Sequence, residues 1–158
     1  MEWYLKVLRQ YVNFHGRAQR KEYWMFALFN VILSLILTVL DSLFDLTASR
    51  FGLLSGLYGL AVLLPALGVS VRRLHDTGRS GWWLLLAPLG SMIAVGALGF
   101  LVGFLLGIPL FVVTAPLVGL IIGSIVLIVF YATDGDRGPN KYGPDPKAVQ
   151  AVNPATVE

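Results

Sequence analysis

The stretch that decides the fold is SGWWLLLAPLGSMIAVGALGFLVGFLLGIPLFVVTAPLVGLIIGSIVLIVFYAT, at residues 80–133. It contains no Asp, Glu, Lys or Arg, a run that no water-soluble fold of this size tolerates. As one helix it would be about 80 Å long at about 1.5 Å per residue, although the core of a bilayer is only about 30 Å thick. The stretch must therefore fold back on itself in the membrane, as a full hairpin or as a re-entrant pair.

The turn of this pair is predicted at residues 107–109, Gly-Ile-Pro, because Gly and Pro interrupt helices. This gives spans at 82–106 and 110–132, and Pro116 is expected to kink the second span or to mark a later start. Small residues recur every four positions in both spans, which is typical of helices that pack closely, either inside one bundle or at an oligomer face. They are Gly99, Gly103 and Gly107 in and directly after the span at 82–106, and Ala115, Gly119 and Gly123 in the span at 110–132.

Two earlier apolar segments are also long enough to cross a bilayer. They lie at 23–40, before Asp41, and at 51–71, before Arg72. In the whole chain 56% of residues are hydrophobic and 13% are charged, whereas soluble domains average about 45–50% and about 25%. We therefore predict an all-α, polytopic membrane protein with four transmembrane helices in one domain at residues 1–147. Residues 148–158 are predicted to be a disordered tail.

The distribution of positive charge predicts the orientation. Four spans place all twelve lysines and arginines except Arg50 on one side of the membrane, and the side richer in Lys and Arg is normally cytoplasmic. Both termini are therefore expected in the cytoplasm of a bacterial inner-membrane protein, with the first span an uncleaved anchor. The net charge of +3 is explained by this orientation and by contact with anionic lipids, so no nucleic-acid partner is predicted.

The N-terminal residues 1–15 have the pattern of an amphipathic helix. Five polar side chains fall in one arc of the helical wheel, and aromatic and aliphatic side chains fill the opposite side. The five are Glu2, Lys6, Arg9, Gln10 and Asn13. Such a segment is expected to lie on the membrane surface as an interfacial helix.

A cluster of polar residues is the candidate site. It comprises Arg17, Arg20, Glu22, Arg72, Arg73, His75 and Asp76. These groups are expected either to pair with one another across the helix ends or to bind anionic lipid headgroups. His75 and Asp76 could form a hydrogen-bonded pair, but no nucleophile pattern accompanies them and too few ligands are present for a metal. No catalytic residue, metal or cofactor is therefore predicted.

Two further polar patterns occur in the sequence. Asn30, Ser34 and Thr38 share one face of the predicted span at 23–40, where they could form interhelical hydrogen bonds or line a small polar cavity. The segment 134–146, DGDRGPNKYGPDP, begins like a calcium loop, but Pro139 stands where an EF-hand needs Gly. The segment is therefore interpreted as a series of turns.

Three motifs in this order resemble the domain of unknown function 805 family of small bacterial inner-membrane proteins. They are WYLKVLRQYVNFHGRAQRKEYWMF (3–26), RRLHDTGRSGWW (72–83) and NKYGPDP (140–146). The resemblance implies a polytopic inner-membrane protein and supplies no catalytic residue. His15 stands where the family commonly has Ser, which weakens the idea of a metal shared by His15 and His75.

The favoured hypothesis is an inner-membrane protein without a catalytic site that has a binding, scaffolding or envelope-adaptor role. Membrane lipids with anionic headgroups are the expected partners, together with a possible homo-oligomer or another membrane protein. One alternative is a small transporter or channel subunit, whose polar path would pass Asn30, Ser34 and Thr38. Another is a membrane enzyme acting on a lipid, which would need His75 and Asp76 to face a cavity.

Overall fold

The computed structural model describes residues 2–44 and 52–148. Five helices follow one another within these residues. They are α1 (Glu2–Arg9), α2 (Arg20–Leu43), α3 (Leu53–Asp76), α4 (Trp83–Leu106) and α5 (Pro109–Ala132). Each of α2 to α5 has 24 residues and is apolar enough to cross a membrane, because a helix of that length spans about 36 Å. The prediction of an all-α protein with four transmembrane helices is confirmed.

Helices α2 and α3 extend beyond the predicted spans at their polar ends, whereas α4 and α5 match theirs to within one residue. α2 begins at Arg20 rather than near 23, and α3 continues to Asp76 rather than stopping near 71. Charged residues are tolerated in these turns because they lie at one end of the bundle and pair with one another. The predictions on Arg50 and residues 149–158 lie outside the described residues.

Helices α2 and α3 form an antiparallel pair that is closed at one end by Asp41. The Asp41 carboxylate accepts hydrogen bonds from the backbone N–H groups of Leu54 and Ser55, each at 2.9 Å, and from the Ser55 hydroxyl at 2.7 Å. The first N–H groups of a helix lack partners within it, so a carboxylate at the end of α2 caps the start of α3. Gly52 has φ +50° and packs against Asp41 with no room for a side chain.

Helices α4 and α5 form the second antiparallel pair, with its turn where the sequence predicted it. α4 ends at Leu106, Gly107 adopts a left-handed conformation (φ 67°), and Pro109 is the first residue of α5. Left-handed Gly ends helices without a Cβ clash, and Pro at the first helical position loses no hydrogen bond. α5 continues through Pro116, so the expectation of a later start is wrong.

The small residues pack α4 against α5 within one chain. Gly99 lies against Ala115, Gly119 against the backbone of Ser91, and Gly123 against Ala87. The Ser91 hydroxyl also donates to the Gly119 carbonyl across the pair at 2.6 Å. Of the two alternatives left open by the spacing, packing inside the bundle accounts for these glycines.

The two helix pairs meet at the end of the bundle opposite Asp41. Leu74, Ala87, Leu127 and Tyr131 form a buried apolar cluster there, and the rings of Tyr23 and Tyr131 lie 4.3 Å apart. The polar segments 10–22, 72–82 and 133–147 cover this end. We call these three segments the polar cap.

Helix α1 is shorter than the predicted helix at 1–15 and packs on protein. It ends at Arg9, and the Asn13 side chain then accepts a hydrogen bond from the His15 N–H in a turn, a conformation that competes with helix. Val7 is fully buried in a cluster of side chains from the cap, α2 and α3. The wheel correctly identified an apolar face, but periodicity cannot tell whether lipid or protein covers such a face.

Polar side chains at membrane depth bond to one another. Tyr58 of α3 donates to the Asn30 side-chain oxygen of α2, and the hydroxyls of Tyr4 and Tyr58 lie 3.2 Å apart. The Asn30 amide donates to the Phe26 carbonyl at 2.8 Å. Thr38 instead donates to the Ser34 carbonyl within α2 at 2.8 Å. Asn30 thus forms the interhelical hydrogen bond that the sequence allowed, whereas the Thr38 hydroxyl bonds within its own helix.

Candidate functional site: the polar cap

The polar cap contains all seven residues of the predicted cluster: six lie in two buried groups and one exposed ion pair, and His75 stacks on Tyr142. In the first group Glu22 and Arg72 are 1% and 3% exposed and form an ion pair at 2.9 Å. Lys6 of α1 forms a second ion pair with Glu22 at 2.9 Å, and Arg72 also donates to the Gln10 side chain. This group therefore ties α1 and the segment after it to both α2 and α3.

Arg73 is the centre of the second group and is fully buried. Its guanidinium donates to the Tyr131 carbonyl at 3.0 Å, to the Thr133 carbonyl and to the Ala18 carbonyl. It also forms an ion pair with Asp76. The last carbonyls of a helix have no partner within it, so Arg73 both completes the end of α5 and fastens it to α3.

Asp76 is shared between Arg73 and Arg17. Arg17 Nε lies 2.9 Å from the Asp76 carboxylate, and the other Arg17 nitrogens donate to the carbonyls of Asp136 and Gly138. The Asp136 N–H donates to the Asp76 carbonyl at 2.8 Å. Gly135 packs so closely on Asp76 that a Cβ would not fit. The segment after α5 is therefore held against α3 by side-chain and backbone contacts together.

His75 and Asp76 do not pair, which corrects the sequence-based expectation. The His75 ring stacks on the Tyr142 ring at 3.8 Å with the planes 5° apart, and its Nδ1 lies 3.2 Å from the Gly16 carbonyl oxygen. Consecutive residues of a helix point about 100° apart, so Asp76 faces Arg17 and Arg73 while His75 faces the third segment of the cap. Asp76 therefore does not orient His75 as a general base would require.

Arg20 lies at the rim of the cap. It forms an ion pair with Asp134 and donates to the Ala132 carbonyl at 3.1 Å, with 42% of its side chain exposed. Lys147 lies 3.4 Å from the same carboxylate. Arg20, Lys21 and Lys147 line a shallow pocket of about 290 Å³, so the exposed charge at this rim is mainly positive.

The third segment of the cap was interpreted from sequence only as a series of turns, and its contacts with α3 were missed. Asn140 donates to the His75 carbonyl at 3.0 Å, and Asn140 and Gly143 form an isolated backbone bridge. Asp145 accepts hydrogen bonds from the N–H groups of Lys147 and Gly138, which lower the pKa of the Asp145 carboxyl. Its contribution to stability is therefore present at neutral pH and is lost as the pH falls through the folded-state pKa. The NKYGPDP motif marks this segment in the sequence, but the motif by itself does not indicate a contact with α3.

A larger cavity lies between α3 and α4 below the cap. Its volume is about 540 Å³ and its wall is mainly apolar. His75 and Tyr142 stand at its polar end, and Leu67 and Leu85 line its apolar part. Across residues 2–44 and 52–148, no group of three or more His, Cys, Asp or Glu side chains is arranged to hold a metal ion.

Comparison with known proteins shows the family. The chain matches the family described as a protein of unknown function (DUF805) over residues 11–144. It belongs to this family. Its three sequence motifs meet in or beside the polar cap, where Arg17 of the first, Asp76 of the second and Asn140 of the third lie within one hydrogen-bonded network.

Two relatives of this DUF805 protein are named as inner membrane proteins. It is 43% identical over 148 residues to inner membrane protein YhaH of Escherichia coli (strain K12), covering 93% of this chain and 98% of the relative. It is 44% identical over 147 residues to inner membrane protein YhaI of the same strain, covering 93% and 97%. An uncharacterized protein, YiiR, is 33% identical over 141 residues, covering 87% and 88%. No solved structure matches the chain.

Proposed function

We propose that this inner-membrane protein is a non-catalytic binding protein that holds its polar cap in the cytoplasm and binds anionic membrane lipids there. The observation that supports the proposal is that two carboxylates of the cap are buried in ion pairs while several of its cations are exposed. The carboxylates of Glu22 and Asp76 are buried in ion pairs. The exposed cations of the cap are Lys21, Arg137, Lys141 and Lys147, of which Lys147 lies 3.4 Å from the Asp134 carboxylate. Exposed lysines and arginines beside a membrane attract anionic headgroups.

The same contacts argue against the two other functions considered. A general base must be able to reach a substrate, but Asp76 is held by two arginines and does not line the cavity, and His75, which does line it, is stacked on Tyr142 and is not paired with Asp76. A polar path needs unengaged groups through the bundle. Asn30 and Tyr58 are bonded to each other, and Thr38 bonds to its own helix. A binding role needs neither a free base nor a path.

The orientation can be tested by cysteine labelling, because the chain contains no cysteine. Phe44→Cys places a thiol at the exposed end of α2 that lies opposite the cap, and Lys141→Cys places one in the cap. In intact spheroplasts we expect a membrane-impermeant maleimide to label Phe44→Cys only, and to label Lys141→Cys after permeabilisation. The reverse pattern would place the cap in the periplasm and contradict the proposal.

The function can be tested with the protein extracted in native lipid particles. Mass spectrometry of the bound lipids is expected to show phosphatidylglycerol and cardiolipin enriched at least about fivefold over the bulk membrane, the factor that about 1 kcal/mol from a single basic residue implies. The matched control is the variant with Lys21, Lys141 and Lys147 replaced by Gln, which should lose the enrichment. Proton or potassium flux in protein-containing vesicles above that of empty vesicles, or equal lipid composition in particle and bulk, would overturn the proposal.

A further inference from the structure

The cavity between α3 and α4 has the size and position of a ligand site in the membrane. Its volume of about 540 Å³ lies within the range of about 300–1,000 Å³ usual for small-molecule sites. Leu67, Val71 and His75 line it from α3, and their spacing of four residues puts them on one helix face. Trp82 and Leu85 line it from the start of α4.

The cavity runs from the cap into the hydrocarbon region. The rise from Leu67 to His75 is about 12 Å at about 1.5 Å per residue, which is most of the thickness of one leaflet, about 15 Å. Trp82 is 69% exposed and Leu85 is 50% exposed, so the cavity is open to the side where lipid lies. Trp at the start of a span is typical of the membrane interface, which puts the polar end of the cavity at headgroup depth.

A positive charge lies beside the polar end of the cavity, although no Lys or Arg side chain lines it. Lys141 Nζ lies 4.9 Å from the centre of the Tyr142 ring, which lines the cavity beside His75. Lys141 forms no ion pair with a carboxylate in the described part of the chain, and no Asp or Glu lines the cavity. A matching ligand is therefore apolar along most of its length and anionic at one end.

We propose that this cavity holds one acyl chain of an anionic phospholipid, with the chain between α3 and α4 and the phosphate beside Lys141. This inference rests on the proposed function and assigns a site to it. A water-soluble ligand would leave the wall of Leu67, Val71 and Leu85 without a match, whereas a phospholipid enters sideways and keeps its headgroup at the cap. The buried ion pairs of Glu22 and Asp76 do not line the cavity.

The test compares two substitutions on one helix. Leu85→Trp narrows the cavity, and Leu101→Trp adds the same bulk at a lipid-facing position of α4 with nearly equal exposure, 53% against 50%. Each protein is placed in nanodiscs containing equal parts of phosphatidylglycerol and phosphatidylcholine with the same chains, then washed in detergent. Native mass spectrometry counts the retained lipids, and thermal unfolding by tryptophan fluorescence confirms that the variants are folded.

We expect the parent and Leu101→Trp to retain one phospholipid with about fivefold preference for phosphatidylglycerol, and Leu85→Trp to lose it. Lys141→Gln should retain a lipid without the preference. Retention by Leu85→Trp equal to that of Leu101→Trp, or no retention by the parent, would overturn the site. If anionic enrichment in native lipid particles also persists in Leu85→Trp, the proposed function stands and only the cavity is wrong.

Discussion

Replacing Arg73 with Ala is expected to destabilise the protein by about 3–5 kcal/mol, the cost of removing one partner from a buried ion pair. Arg73 is fully buried, and one guanidinium serves Asp76 and the carbonyls of Ala18, Tyr131 and Thr133. Its loss removes this donor from the three carbonyl oxygens, leaves Asp76 with Arg17 as its ion-pair partner, and separates the end of α5 from α3. The measurement is the free energy of unfolding in mixed micelles, followed by tryptophan fluorescence and checked by the monodisperse fraction on gel filtration.

Two control variants separate geometry from charge. Arg73→Lys keeps the charge but cannot reproduce the planar fork of donors, so most of the loss should remain. Arg79→Ala removes an arginine that donates to the Thr77 carbonyl at 3.3 Å and stacks on Phe130 at 3.9 Å, and this should cost about 1 kcal/mol. Equal stabilities of Arg73→Ala and Arg79→Ala would show that the buried group does not hold the cap.

Removing both charges should cost less than the two single changes added together. In the double variant of Arg73→Ala with Asp76→Ala, neither charge is left buried without its partner. Asp76 also holds Arg17 at 2.9 Å, so the double variant should still be less stable than the parent and should weaken capture of anionic lipid. Unchanged stability and unchanged lipid binding in the double variant would contradict both the structural and the functional role of the cap.

Gly123→Ala is expected to destabilise the α4–α5 pair by about 1–3 kcal/mol, although Ala normally favours a helix over Gly by about 1 kcal/mol. A Cβ at this position would overlap the Ala87 carbonyl and lie 2.5 Å from Pro88 Cα. Backbone atoms cannot move aside as a flexible side chain can, so the two helices must separate. The measurement is the same unfolding experiment.

Gly90→Ala is the matched control for this prediction. Gly90 is also within the hairpin, on α4, and a Cβ there would meet no heavy atom within 4 Å. It should leave stability unchanged or raise it by up to about 1 kcal/mol through helix propensity. If Gly123→Ala were as stable as Gly90→Ala, close packing of α5 on the backbone of α4 would be disproved.

The helices and the turn between α4 and α5 could be predicted from the sequence because each depends on residues that are close together in the chain. A long run without charge must be buried in lipid, and Gly107 followed by Pro109 ends one helix and starts the next. Pro116 was harder to interpret, because the same residue can kink, start or sit inside a helix. Its ring packs on Gly96, a contact between two helices that no local pattern reveals.

The residues of the candidate site could be predicted from the sequence, but the partners that each of them contacts could not. Arg17, Arg72 and Asp76 stood out as charges beside hydrocarbon, and such groups must find partners. Which partners they find depends on contacts across the fold: Arg17 meets the carbonyl of Gly138 and Asp76, both distant in sequence. The pairing of His75 with Asp76 was wrong because adjacency in sequence is not adjacency on a helix.

The sequence by itself determined that this chain crosses the membrane four times and keeps its charges at the ends of the spans. Transfer of apolar residues into lipid is nearly additive along the chain, so composition in a window is enough. Only the tertiary structure decided that Glu22, Arg73 and Asp76 form ion pairs within the cap, while Lys141 lies over the Tyr142 ring beside an apolar cavity and pairs with no carboxylate of the described residues. Ion pairing and cavity shape depend on contacts between segments that are distant in sequence, and no local stretch of the chain specifies those contacts.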